Sequence, residues 1–222
     1  MCGGCRCCGW DRKIKVESEN VVVLEVGGRS LSRRKYKDGC TGCEISKGGC
    51  GVKDRGGIIP LPGGWIVNHY ALEEGYLGYL ALQTGEHRER FAELSKTEAD
   101  ALGKNMKKVE KALREYWAKN FPDDPIEHVY MVSFCEHLEH LHFHVFPRPK
   151  SFMKLALCTK ACTQYSEIEG QGGGAYAWNI YLANKCKDFS ARYITRGGQN
   201  RQEVLKLMKY LKSWLGGEAT RY

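Results

Sequence analysis

The sequence predicts an α+β fold, in which short strands and one long helix share a core. Segments rich in β-branched and aromatic residues, bounded by glycine or proline, have the pattern of strands; they are residues 65–70, 76–82, 128–134 and 141–146. Between the second and third of them, Ser95-Lys96-Thr97-Glu98 has the form of a helix capping box, and the next twenty residues place apolar side chains on one helical face. With 222 residues and 42% hydrophobic content, the chain can bury a full core.

Both ends of the chain are predicted to flank this core. Residues 1–37 form a cysteine-rich, basic N-terminal extension, and residues 38–150 form the core itself. Residues 151–222 form a basic C-terminal extension whose segment from Arg201 to Leu215 has the periodicity of an amphipathic helix.

The N-terminal extension contains two kinds of segment after its cysteine-rich tip. Lys13 to Val26 is strand-like because of its β-branched residues, and Gly27 to Gly39 is a basic, turn-rich stretch.

Charge and hydropathy narrow the class of protein. The formal net charge of +8 is concentrated in residues 1–60 and 150–222, whereas residues 61–149 are mildly acidic. Basic flanks attract polyanions such as nucleic acid, or they simply keep the surface solvated, and both interpretations stay open.

The apolar runs are far shorter than the roughly 20 residues of a membrane helix, and the N-terminus lacks the apolar segment of a secretory signal. We therefore expect a cytoplasmic protein with no membrane partner.

In a reducing compartment, the eleven cysteines are metal ligands, reactive thiols or buried small residues rather than disulfides. The spacing in Cys40-Thr41-Gly42-Cys43 lets both thiolates reach one tetrahedral zinc ion, and a metal-free turn is the alternative. The N-terminal Cys2, Cys5, Cys7 and Cys8 form either a second metal site or a frayed tail. The remaining cysteines are expected to be buried small residues; they are Cys50, Cys135, Cys158, Cys162 and Cys186.

Three histidines alternate strictly with apolar residues in His140-Leu141-His142-Phe143-His144-Val145-Phe146. Because side chains alternate between the faces of a strand, the imidazoles share one face and the apolar residues bury the other. A neutral imidazole is nucleophilic toward phosphorus at cellular pH, and a protonated neighbour can hydrogen-bond phosphate oxygens or protonate a leaving group. The pattern therefore indicates a site for phosphorus chemistry, with satisfied core histidines or a metal-binding tract as the alternatives.

This motif resembles the signature of the histidine-triad superfamily, which includes Hint-like and Fhit-like hydrolases, aprataxin-like enzymes and galactose-1-phosphate uridylyltransferases. The resemblance covers about residues 40–149: a CxxC, a strand, a lone histidine before a helix, and a strand pair that ends in the triad and Pro147-Arg148-Pro149. It implies an antiparallel sheet of about five strands with the long helix packed on it, and a homodimer.

The resemblance also implies a role for each histidine of the motif. His142, the middle histidine, would be the nucleophile and form a covalent nucleotidyl-histidine, which water or another acceptor would release. His144 would contact the phosphate or help the leaving group depart. His140 would orient the site or bind metal.

The zinc-containing branch of the superfamily implies the rest of the site. Its structural zinc would be held by Cys40, Cys43, His87 and His140. Asn68 lies in the region where this fold receives the nucleoside, and Arg148 is a candidate anion contact. Trp65 in the same region would stack on a base or pack in the core.

One feature departs from the family pattern. Many members place a small polar residue shortly before the triad, but here Glu136, His137 and Glu139 precede it. A carboxylate at Glu136 or Glu139 would orient a triad histidine, would repel a polyphosphate, or would belong to a solvated loop.

The expected function is a nucleotide hydrolase or nucleotidyltransferase that cleaves phosphoanhydride, phosphoramidate or related bonds through His142. The alternative is a zinc-stabilised module that binds nucleic acid or nucleotide through the basic flanks. An aprataxin-like enzyme that removes nucleotides from nucleic-acid ends would combine the two.

Overall fold

A computed structural model describes residues 12–18, 21–26, 29–70, 77–134, 138–150 and 198–216. The protein is α+β, as the sequence predicts, and it contains a five-stranded antiparallel open sheet and a three-stranded sheet. The strands are β1 Arg12–Ser18, β2 Val21–Val26, β3 Arg29–Lys35, β4 Ile58–Pro60, β5 Trp65–His69, β6 Leu80–Thr84, β7 Ile126–Val132 and β8 His142–Pro149. The helices are α1 Thr41–Ser46, α2 Lys96–Asn120 and α3 Gly198–Gly216. Within the described ranges, no helix has both the length and the apolar character that a bilayer requires.

The three-stranded sheet has the order β1-β2-β3 and is antiparallel throughout. The predicted strand region from Lys13 to Val26 divides into β1 and β2. The stretch from Gly27 to Gly39, which the sequence indicated to be turn-rich, contains strand β3 at Arg29–Lys35 instead. β3 lies at the edge of this sheet, where basic residues are tolerated because they discourage pairing with other chains.

The five-stranded sheet has the order β4-β5-β6-β8-β7. Its register sets which side chains share a face. Leu82 pairs with Phe143, and both belong to the core beneath the helices, whereas the adjacent pair of Gln83 and His142 lies on the opposite face. The histidines are therefore on the face that α2 and α3 do not cover.

The long helix begins with the predicted capping box. The Ser95 hydroxyl accepts a hydrogen bond from the Glu98 amide at 3.2 Å, and the Glu98 carboxylate accepts one from the Ser95 amide at 2.7 Å. The Glu98 carbonyl also accepts a 2.8 Å hydrogen bond from the indole of Trp65, which is fully buried. Trp65 is thus a core residue, which was one of its two predicted roles; the other was stacking on a base.

The C-terminal helix α3 packs on the same core. The sequence predicted a helix from Arg201 to Leu215, and the structure confirms it with bounds of Gly198–Gly216. Five apolar side chains of α3 are buried against α2 and the sheet; they are Val204, Leu207, Met208, Leu211 and Leu215.

The predicted bounds of β6, β7 and β8 differ from those in the structure. β7 is Ile126–Val132 rather than residues 128–134. β6 starts at Leu80 rather than residue 76, after Gly78, which has a φ of 83° that breaks an extended strand. β8 continues past Phe146 through Pro147 to Pro149. Beyond Val145, β8 is paired with β7 alone, and a proline without an amide hydrogen is tolerated on such an edge.

One cysteine prediction is also corrected. Cys50 is exposed rather than buried, and it occupies a turn with a φ of 53°. The predictions for several other residues lie outside the described part of the chain; these residues are Cys2, Cys5, Cys7, Cys8, Cys135, Glu136, His137, Cys158, Cys162 and Cys186.

Candidate functional site

Four predicted metal ligands come together from three separate parts of the chain. Cys40 and Cys43 lie at the start of α1, His87 lies in the loop between β6 and α2, and His140 lies two residues before β8. One ligand atom from each of the four lies within 4.8 Å of the others. The two cysteines and His140 are buried, and His87 is half-buried.

The distances in this cluster match those around a tetrahedral metal ion. Cys40 Sγ lies 3.6 Å from His140 Nδ1, Cys43 Sγ lies 3.7 Å from the same nitrogen, and Cys43 Sγ lies 3.4 Å from His87 Nδ1. In a tetrahedral zinc site, metal–ligand bonds of about 2.3 Å to sulfur and 2.1 Å to nitrogen separate those two ligands by about 3.6 Å. The donor set and its spacing therefore fit a metal ion.

The second nitrogen of each imidazole has a partner that orients the ring. The Nε2 of His140 lies 2.9 Å from the Thr84 carbonyl, and the Nε2 of His87 lies 3.1 Å from the Glu89 carboxylate. Because these partners accept hydrogen bonds, each Nε2 carries the proton and each Nδ1 presents its lone pair to the cluster. This is the arrangement that histidine metal ligands adopt in proteins.

Burial shapes the protonation states in the cluster. It lowers the pKa of His140 to about 4, so that the ring is neutral, and it raises the pKa of Cys43 to about 11. The Cys43 sulfur also accepts a 3.2 Å hydrogen bond from the Lys37 amide, which favours the thiolate. A cation in the cluster would supply the positive charge that a buried thiolate needs.

Gly42 allows the close contact between α1 and His140. A Cβ built at Gly42 would overlap the imidazole ring of His140, so no larger residue fits between the two cysteines without displacing that ring. The Gly42 carbonyl also accepts a 2.9 Å hydrogen bond from Gln83, which is paired with His142 across the sheet. α1 is thereby attached to the histidine-bearing face.

The other two triad histidines contact each other. His142 Nδ1 lies 2.7 Å from the His140 carbonyl, which can only accept, so Nδ1 carries the proton and Nε2 has the lone pair. That Nε2 lies 3.1 Å from His144 Nε2, which must therefore be the donor. His142 is 6% exposed and is not among the cluster ligands.

Neither of these histidines is charged at neutral pH. Burial lowers the pKa of His142, and burial together with the nearby His142 lowers the pKa of His144 to about 4. Around pH 7, His144 is thus a neutral N–H donor, whereas the sequence interpretation allowed for a protonated neighbour.

The two predicted substrate contacts have different surroundings. Asn68 is 2% exposed and lies in one cross-strand row with Ala81 and His144. Its Nδ2 has no hydrogen-bond partner among the described residues. Arg148 is also buried, but it forms a 3.1 Å ion pair with Glu127, about 13 Å beyond His144 along the strand. The structure brings Asn68, and not Arg148, to the histidines.

Sequence reasoning missed two side chains of this site, Tyr79 and Gln83. The Tyr79 hydroxyl lies 2.7 Å from His144 Nδ1. Both residues lie within or next to β6, but only the cross-strand register reveals that they face the histidines. Glu139, a candidate for orienting a triad histidine, instead forms a 2.9 Å ion pair with Lys37 at the surface.

The fold and the site together define a class: an α+β protein with a five-stranded antiparallel sheet and a largely buried cysteine–histidine cluster that could hold a metal ion. No protein-family model and no curated protein matches the chain.

Proposed function

We propose that this protein is a zinc-stabilised histidine-triad enzyme that cleaves nucleotide phosphoanhydride or related bonds through a covalent intermediate on His142. The observation that carries the proposal is the hydrogen bond between His142 Nδ1 and the His140 carbonyl at 2.7 Å. It leaves the lone pair on Nε2, next to the N–H of His144. A fixed nucleophile beside a hydrogen-bond donor is the arrangement that attack on phosphorus requires.

In the first step, the His142 Nε2 lone pair forms a bond to phosphorus. The phosphorus–oxygen bond to the leaving group breaks, and its electron pair departs with that oxygen. The Nδ1 proton stays on the ring, and the His140 carbonyl stabilises the positive charge that the ring acquires. His144 Nε2–H turns from His142 to a non-bridging phosphate oxygen, which lies within reach because the two nitrogens are 3.1 Å apart.

In the second step, water or another acceptor attacks the same phosphorus atom. The phosphorus–nitrogen bond breaks, its electron pair returns to His142 Nε2, and the proton of the acceptor passes to solvent. Since His144 is neutral at pH 7, leaving groups that depart as stable anions are favoured in the first step. Phosphoanhydrides meet that requirement because their leaving group is itself a phosphate or a nucleotide.

Zinc is the metal we propose for the cluster, because two thiolates and two imidazoles form a typical closed structural zinc site. Bound zinc would hold α1, the His87 loop and the start of β8 together and would take no part in the reaction. Its effect on His142 is indirect: the His140 ring lies in the cluster, and the His140 carbonyl orients His142.

Asn68 is the substrate contact that we retain. Its amide nitrogen is buried without a partner among the described residues, and such a donor costs free energy unless it is satisfied. A nucleotide oxygen on the histidine-bearing face would satisfy it. The homodimer and the cytoplasmic location expected from the sequence remain predictions.

The proposed activity is tested by incubating the zinc-loaded protein with dinucleoside polyphosphates and with nucleoside phosphoramidates. We expect release of nucleoside monophosphate, with the polyphosphates cleaved faster. A protein that leaves every such substrate intact, while it binds nucleic acid with an affinity that falls steeply with salt, would contradict the enzymatic proposal and favour a nucleic-acid-binding module.

A further inference from the structure

We propose that Tyr79 is a positioning residue, whose hydroxyl fixes His144 in the tautomer that carries its proton on Nε2. The catalytic consequence of this inference rests on the proposed function, but the tautomer itself does not. The Tyr79 hydroxyl oxygen lies 2.7 Å from His144 Nδ1.

The position of this hydroxyl is fixed by packing. Tyr79 is 1% exposed, and its ring stacks on Tyr70 with the centroids 4.3 Å apart. The Tyr79 ring also packs against Phe146, with the two ring centroids 4.6 Å apart. Packing of the ring therefore fixes the position of the hydroxyl oxygen next to His144.

The His140 carbonyl determines which group donates in each hydrogen bond from His142 to Tyr79, because a carbonyl can only accept. The His140 carbonyl accepts from His142 Nδ1, so His142 Nε2 has a lone pair and accepts from His144 Nε2. A neutral His144 that carries its proton on Nε2 has a lone pair on Nδ1, so the Tyr79 hydroxyl donates to it. In the other tautomer of His144, two lone pairs would face each other at 3.1 Å.

Loss of the hydroxyl removes one of the two contacts that select this tautomer. A fraction of His144 would then carry its proton on Nδ1 and would have no N–H to offer the phosphate. We expect kcat to fall about tenfold and KM to stay the same, because the lost contact acts in the transition state rather than in substrate binding.

The experiment is Tyr79→Phe, compared with wild type and with Tyr70→Phe as the matched control. Tyr70→Phe also removes a tyrosine hydroxyl, and its ring keeps the stack on Tyr79. Long-range ¹H–¹⁵N NMR of histidine-labelled protein without substrate reports which nitrogen of His144 is protonated. We expect protonated Nε2 in wild type and in Tyr70→Phe, a mixture of tautomers in Tyr79→Phe, and a loss of kcat in Tyr79→Phe alone.

Identical His144 nitrogen shifts in wild type and Tyr79→Phe would overturn the inference. A wild-type His144 protonated on Nδ1 would overturn it as well, even if Tyr79→Phe failed to fold. A protein that shows the predicted change of tautomer but cleaves no nucleotide would refute the proposed function and leave the tautomer assignment intact.

Discussion

Replacing His142 with alanine is expected to lower the rate of nucleotide cleavage by about 10⁴-fold or more, because the reaction loses the atom that attacks phosphorus. The remaining hydrogen-bond donors of the site would still bind substrate, so the loss should lie in kcat rather than in KM. Steady-state release of nucleoside monophosphate measures both quantities.

The matched control for this variant is His128→Ala. His128 is an exposed histidine on β7 that stacks on Tyr130 and has no described contact with the triad. This variant should keep wild-type turnover. A His142→Ala protein that binds zinc and melts as wild type does, but turns over at the wild-type rate, would eliminate His142 as the nucleophile.

Removing the proposed zinc ion is expected to destabilise the protein strongly. If free zinc is 1,000 times its dissociation constant, binding stabilises the folded state by about 4 kcal/mol. For a protein of this size, each kcal/mol corresponds to about 2–4 °C, so chelation should lower the Tm by about 10 °C. Calorimetry with and without a zinc chelator measures this shift, and metal analysis should find one zinc per chain.

Two variants should lower the Tm in the same way without a chelator. Cys43→Ser replaces a buried sulfur of the cluster, and Gly42→Ala places a methyl group where the His140 ring lies. Cys50→Ser is the control, since Cys50 is exposed and is not one of the four cluster residues. A purified protein that contains no metal and melts at the same temperature with and without chelator would contradict the proposed zinc site.

The sequence predicted the parts of the fold that depend on residues close together in the chain. The capping box at Ser95 and the apolar periodicity after it are sufficient to define α2. Alternation in the triad predicted a strand with His142 and His144 on one face, and the register confirms that placement. The α+β class was predicted correctly from these patterns, and the five-stranded antiparallel sheet that the family resemblance implies is present.

What the sequence could not predict depends on contacts between distant segments. Arg29–Lys35 forms a strand because β2 pairs with it, not because of its own composition. Likewise, only the cross-strand register shows that Tyr79 and Gln83 face the histidines. The same limit applies to α3, whose apolar face indicated a helix but not that it packs on α2.

The four residues of the cysteine–histidine cluster were predicted as a set, but the link between this cluster and His142 was not. The alternating pattern predicts that His140 lies beside His142, and the structure adds that the His140 ring contacts both cysteines while its backbone carbonyl contacts His142. Backbone contacts of this kind leave no trace in a side-chain pattern.

The most direct test of the central claim is to find the covalent intermediate. Zinc-loaded protein is mixed briefly with a dinucleoside polyphosphate, quenched at alkaline pH and digested, and the nucleotide-bearing peptide is sequenced by mass spectrometry. We predict one nucleoside monophosphate per chain, attached to His142 and lacking in His142→Ala. Turnover of the substrate with no adduct on any histidine, or with the nucleotide on a residue other than His142, would contradict the proposal.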